Sequence, residues 1–265
     1  MLIELISNYG LFLLKTLTVV ISIIVILSFA LSSKKSKSEG NLVVTNVNEE
    51  LDNLENNIKQ NILNKKDFKK YIKDKKKNNK VAEKKLFILD FKGNIKASEI
   101  VSLRREISGI LLSYKKGDEV ILRLENSGGT VHEHGLAASQ LKRIKDKKIP
   151  LTICVDKVAA SGGYMMACVA NKIVSSPFAI IGSIGVLAQV PNFNKLLKNK
   201  GIDFEQHTAG NYKRTVTMFG KNTEKDRKKL GEQLEDIHLL FKDFIVSQRK
   251  NIDIEKVATG EYWYG

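Results

Sequence analysis

PLTICVDKVAASGGYMMACVANKIVSS, residues 150–176, is the stretch whose reading decides the fold. PLTICVD (150–156) is a short apolar run closed by an acid, the pattern of a buried strand. SGGYMMACVA (161–170) opens on a serine and two glycines and continues with small and apolar residues, a helix entered through a tight turn. IVSS (173–176) is again a strand. Working outward, the alternation persists. LFILDFKG (86–93) and VILRLEN (120–126) read as strands, and HEHGLAASQLKRIKD (132–146) as a helix. SEIVSLRREISGILLSY (98–114) puts Ile100, Leu103, Ile107, Ile110 and Leu111 on one helical face. AIIGSIGVLAQ (179–189) is apolar and punctuated by glycine. Strands that alternate with helices and read as continuous apolar runs predict an α/β domain on a parallel sheet.

A 43% hydrophobic composition over 265 residues supports a sizeable core. The formal charge is +15, but residues 34–85 hold fifteen lysines against eight acidic residues and so carry nearly half of it. Lysine blocks of this kind are solvated or membrane-surface arms more often than nucleic-acid readers. No aromatic-interleaved basic motif accompanies them, so no nucleic-acid partner is expected. Cys154 and Cys168 make no disulfide framework and sit in apolar runs, where buried free thiols are expected.

Residues 11–31, LFLLKTLTVVISIIVILSFAL, carry one charge, Lys15. At about 1.5 Å per residue they reach about 30 Å, the thickness of a bilayer's hydrocarbon core. A retained anchor in the lipid bilayer is the expectation. A cleaved signal peptide is the alternative, with residues 28–30 as a poor cleavage site. Lys34, Lys35 and Lys37 follow the apolar run and only Glu4 precedes it, so the positive-inside rule places the rest of the chain in the cytoplasm of a bacterium, beneath its inner membrane. Three regions result: an anchor (1–31), a lysine-rich linker (32–84) and a folded domain (85–265). Within the linker, Leu51, Leu54, Ile58 and Ile62 recur at helical steps, whereas residues 69–80 approach low complexity and are expected to be flexible.

Three glycine-bearing turns follow strands, at residues 126–129, 160–163 and 182–185. In a parallel sheet such turns converge at the carboxyl ends of the strands, where ligands bind. Ser161 at the start of a helix would have its hydroxyl beside free amides such as that of Gly162, which suits a nucleophile. A serine in that place is equally a good N-cap. His132 or His207 with Asp156 offers a rival triad for Ser161, and His132 with His134 a superficial metal pair. No further cluster completes a metal site, and none is expected.

Over residues 86–265 the chain resembles the S49 signal peptide peptidase family, through VDKVAASGGYMMACVA, PFAIIGSIGVLAQVPN and HTAGNYKRT. The resemblance implies a Clp/crotonase-like β-α superhelix and a serine endopeptidase that needs no cofactor. It acts on peptides or unfolded proteins, signal peptides among them, and assembles as a homo-oligomer. By that likeness Ser161 is the nucleophile, Lys213 the general base, and Ser183 a group that positions the lysine. Gly128 and Gly129 supply an oxyanion-hole amide. The family carries its catalytic domain outside the cytoplasm, against the charge rule above. It also has proline where this chain has Ser127, which predicts a looser oxyanion turn. Its members continue past the point corresponding to GEYWYG (260–265), so a longer natural chain is expected. A crotonase-type acyl-thioester enzyme and a non-catalytic membrane scaffold are the competing functional readings.

Overall fold

The computed structural model describes residues 2–33, 42–78 and 83–265, with side chains from residue 8 to 26 in the first stretch. The chain divides into two compact units, Met1–Phe68 and Lys69–Gly265.

In the first unit, α1 (Leu2–Ser33) is a single long helix. Its segment Asn8–Ile26 is long and apolar enough to cross a membrane. The hydroxyls of Thr16, Thr18 and Ser22 donate to carbonyls about one turn back, so these polar groups need no outside partner. The lysines used for orientation, at 34, 35 and 37, lie outside the described residues. Helix α2 (Val47–Ile62) carries the stripe Leu51, Leu54, Ile58, Ile62, every member of it exposed. Helix α3 (Lys65–Asn78), whose sequence runs across the division at residue 68, corrects the expectation of a flexible run from residue 69. Asn64 Oδ1 accepts the amides of Lys66 and Asp67 and caps the helix, so low complexity does not prevent one.

The second unit is built on a four-stranded parallel sheet ordered β1 (Leu86–Lys92), β2 (Glu119–Glu125), β3 (Leu151–Val155), β5 (Lys172–Ser175). The registers Leu86↔Glu119, Val120↔Leu151 and Thr152↔Lys172 keep the strands in step, so their starts share one edge and their ends the other. Helices α4 (Ile100–Ser113) and α5 (Val131–Asp146) supply Leu103, Ile107, Leu141 and Ile144 to a core shared with Phe91, Leu122, Leu124 and Ile153. The predicted helical face is thus the buried one. The strands, however, are not buried on both sides. β1 and β2 alternate, and Asp90 and Arg123 pair across them at 2.5 and 2.6 Å on an open face.

A second sheet joins β4 (Val158–Ala160) parallel to β6 (Ile180–Gly182), with β7 (Tyr262–Tyr264) antiparallel on β6. The two sheets meet at Asn126, whose amide donates to Val158 and whose carbonyl accepts the amide of Ala160. The remaining helices are α6 (Gly162–Ala167), α7 (Asn194–Asn199), α8 (Glu224–Gln248) and α9 (Ile254–Val257). Thr223 and Asp226 close a capping box at the start of α8.

Candidate active site

Ser161 stands between β4 and α6 with φ 52° and ψ −118°, a backbone conformation that a non-glycine residue rarely adopts. Such a residue stores about 1–3 kcal/mol of strain and persists only where its surroundings hold it. Here its amide donates to Gly182 O at 2.7 Å, and its carbonyl accepts the amide of Met165 at 3.0 Å. An N-cap serine sits in the β region with its oxygen bonded to the first-turn amides. Ser161 does neither: its side chain makes no capping hydrogen bond. Its position is half-buried, at the mouth of a cleft.

Packing explains the two glycines that follow. A Cβ on Gly162 would lie 2.4 Å from the His134 ring, and one on Gly163 would lie 2.1 Å from Asn126 O. The start of α6 is therefore pressed against the end of β2 and against α5, and no side chain fits between them. His134 is fully buried, with Nδ1 2.9 Å from Thr130 O and Nε2 3.2 Å from Asn126 Oδ1.

The turn 126–129 faces the same point. Gly128 has φ 93°, and a Cβ there would lie 2.7 Å from that of Ser161. Its amide donates to Asn126 Oδ1 at 2.6 Å, so Gly128 shapes the turn and its N–H is taken. The amides of Gly129 and Gly162 have no partner among the described residues, and both glycines border the cleft. The Asn126 side chain braces the turn that the missing proline at Ser127 was expected to leave loose. Sequence reading took His134 only as a candidate metal partner and the turn at Asn126 only for its glycines, and missed the bracing role of both. An Asn directly before a Ser-Gly-Gly turn was the available signal, since Asn bonds its own backbone two residues on.

The cleft is narrow, about 20 Å³, the room of one small group. Val131, Met165, Ile237 and Phe241 wall it with apolar surface. α8 therefore covers one side of Ser161.

Lys213 does not line this cleft. It lies exposed on a turn, its amide donating to Gly210 O at 3.2 Å. The neighbouring Tyr212 ring lies under the ammonium groups of Lys225 and Lys229, at 5.9 and 5.1 Å. Ser183 also has a left-handed φ of 49°; its amide donates to Glu261 O at 2.7 Å and its hydroxyl to Gly260 O at 3.3 Å. The rival histidines stay apart: His132 and His207 are solvent-facing beside Glu133 and Glu205, and neither lines the cleft. His134 cannot pair with His132 on a metal while both its nitrogens face protein oxygens. His238, on α8, has Nε2 buried without a partner among the described residues.

The pattern of Peptidase family S49 N-terminal matches residues 4–141, and that of Peptidase family S49 matches residues 143–265. The chain belongs to peptidase family S49. The family pattern starts before α1 ends, well ahead of residue 86, where the motifs first become readable. "Probable protease SohB" of Buchnera aphidicola subsp. Schizaphis graminum is 50% identical over 99% of this chain and 80% of its own length. The protein of the same name from Haemophilus influenzae is 46% identical over 100% of this chain and 81% of its own. An enoyl-CoA hydratase/isomerase from Marinobacter aquaeolei is a structural neighbour at TM-score 0.35 and 11% identity, covering 63% of this chain and 55% of its own. That likeness is too low to bear on the S49 chain, whose α/β class rests on its strand pairings.

Proposed function

We propose that this S49 peptidase is a membrane-anchored serine endopeptidase in which Ser161 attacks the peptide carbonyl and Lys213 takes its proton. The observation that carries the reading is Ser161 itself: a strained residue, bonded on both sides through its backbone, whose hydroxyl caps no helix and opens on a cleft. Its Oγ forms a bond to the carbonyl carbon as the proton passes to the lysine amine. The free amides of Gly129 and Gly162 receive the oxyanion, a role worth about 10²–10³ in rate per donor. Collapse expels the amine, which takes the proton back, and water then releases the acyl group.

A lysine accepts a proton only when neutral, and burial favours that state. Lys213 is exposed, so the reading requires the turn around residue 213 to close over the cleft when a peptide binds or when chains assemble. A second copy has a place to pack. Parallel sheets normally have both faces covered, yet Ile88 and Val174 stand 37% and 43% exposed on this one. The narrow cleft suits substrates with small side chains, such as the small-residue ends of signal peptides. Anchoring through α1 is supported by the 19-residue span Asn8–Ile26. We place the domain on the cytoplasmic side of the bacterial inner membrane by the charge rule, with the outer side as the alternative that protease added to spheroplasts would reveal.

A serine-directed fluorophosphonate is the test. It should label the wild-type chain and leave Ser161→Ala unlabelled. Peptide cleavage should fall by about 10² or more in Ser161→Ala and in Lys213→Ala, with the double variant no worse than the singles. Unchanged labelling of Ser161→Ala would remove the assignment.

A further inference from the structure

Each of the first three parallel strands begins just after a lysine pair: 84–85 before β1, 115–116 before β2 and 147–148 before β3. The sequence scatters these pairs over 65 residues, but the in-step register gathers them on one edge of the sheet. The edge is laced together by backbone bonds, from Glu119 N to Lys85 O and from Val120 N to Pro150 O. With strands about 4.8 Å apart, the three pairs occupy a strip about 10 Å across.

Six like charges at this spacing repel one another, and although Glu83 and Glu119 stand exposed on the same edge, the lysines outnumber the acids there. All six lysines are exposed, and no ion pair to any of their ammonium groups is seen among the described residues. The acid between them, Asp118, is buried and turned inward. Its two oxygens accept the amides of Lys115 and Lys85, each at 2.8 Å, and these backbone donors hold its carboxyl below the usual carboxylate range. Four of the lysines, Lys115, Lys116, Lys147 and Lys148, line an open hollow of about 520 Å³. Beside it, at the end of α4, Leu112 is 90% exposed.

We propose that this edge docks on an anionic phospholipid surface. Clustered cations with an exposed apolar side chain on the nearby end of a helix match phosphate headgroups above acyl chains, whereas a nucleic-acid groove would present stacking aromatic rings. The chain reaches this edge after α1, α2 and α3, and the proposal rests on the anchoring argued above. Ser161 lies at the opposite edge, about 20 Å away along seven-residue strands. Docking therefore turns the cleft away from the bilayer.

The test is lysine footprinting. The full chain in lipid nanodiscs is treated with an amine-acylating reagent and each lysine is read by mass spectrometry. In discs containing phosphatidylglycerol, Lys115, Lys116, Lys147 and Lys148 should react about fivefold more slowly than in purely zwitterionic discs, the ratio corresponding to ~1 kcal/mol per lysine. About 0.5 M salt should abolish the difference. Lys195 and Lys198 on α7, and Lys200 just after it, should not change. Equal reactivity of the four lysines in both discs overturns the proposal, as does equal protection by RNA in detergent without lipid. A chain that fails to enter nanodiscs at all instead overturns the anchoring.

Discussion

His134 Nε2 lies 3.2 Å from Asn126 Oδ1, the oxygen that also accepts the Gly128 amide at 2.6 Å. One amide oxygen thus joins the buried histidine behind Gly162 to the turn that carries Gly129. Asn126 Nδ2 is buried without a partner among the described residues, an arrangement that costs about 1–3 kcal/mol. The residue is kept at that cost for what its oxygen holds. Asn126→Ala should therefore leave thermal stability nearly unchanged while kcat falls about 10²-fold, the effect of misplacing one oxyanion donor. KM for a peptide substrate should move little. A matching loss of stability, or a change in KM alone, would mean that Asn126 serves only the fold.

Two glycines 27 residues apart should respond in opposite senses to the same substitution. Gly162→Ala drives a methyl to within 2.4–2.6 Å of the ring of the buried His134. It should destabilise by about 1–3 kcal/mol and lower activity. Gly135→Ala adds a methyl in open space within α5 and should stabilise by about 0.5–1 kcal/mol. Denaturant unfolding of both variants measures the contrast, and two changes of the same sign would contradict the packing described.

Ile237 is a half-buried wall of the cleft. Ile237→Ala should enlarge the cleft without a large cost, because the side chain is not in the core. Cleavage after bulky residues should rise relative to cleavage after alanine by about 10-fold, the scale on which one or two methylenes discriminate. An unaltered ratio would place the substrate side chain elsewhere.

The Cys168 thiol is buried, and burial pushes its pKa up to about 12. A group raised in the folded state contributes stability that is fully present below its unfolded pKa, near 9, and is lost as pH rises towards the folded one. Stability should hold to about pH 8.5 and then fall, and Cys168→Ala should flatten that alkaline limb. Tyr164, also raised by burial, adds to the same limb at higher pH. Half-buried Cys154 should be the thiol that reacts in the native protein. Native-state labelling of Cys168 would contradict its burial.

Local chemistry determined the strands of the parallel sheet and the helices between them, though not α3 or the short strands of the second sheet. Apolar runs of strand length and the spacing of Ile100, Leu103, Ile107 and Ile110 specify elements whose hydrogen bonds lie within reach of a few residues. The same runs carried the family likeness, and with it Ser161. Only the tertiary structure decided what surrounds that serine. The strain at Ser161 arises because Gly182, on another strand, holds its amide. The identity of the free amides depends on a side chain, Asn126, that takes the one from Gly128. Both are contacts across the fold, and no local pattern encodes them. The uncovered face of the sheet was misread for the same reason, because an apolar run does not say what will lie against it. The lysine pairs at 84, 115 and 147 likewise look like three separate solvated loops until parallel register sets their strands side by side.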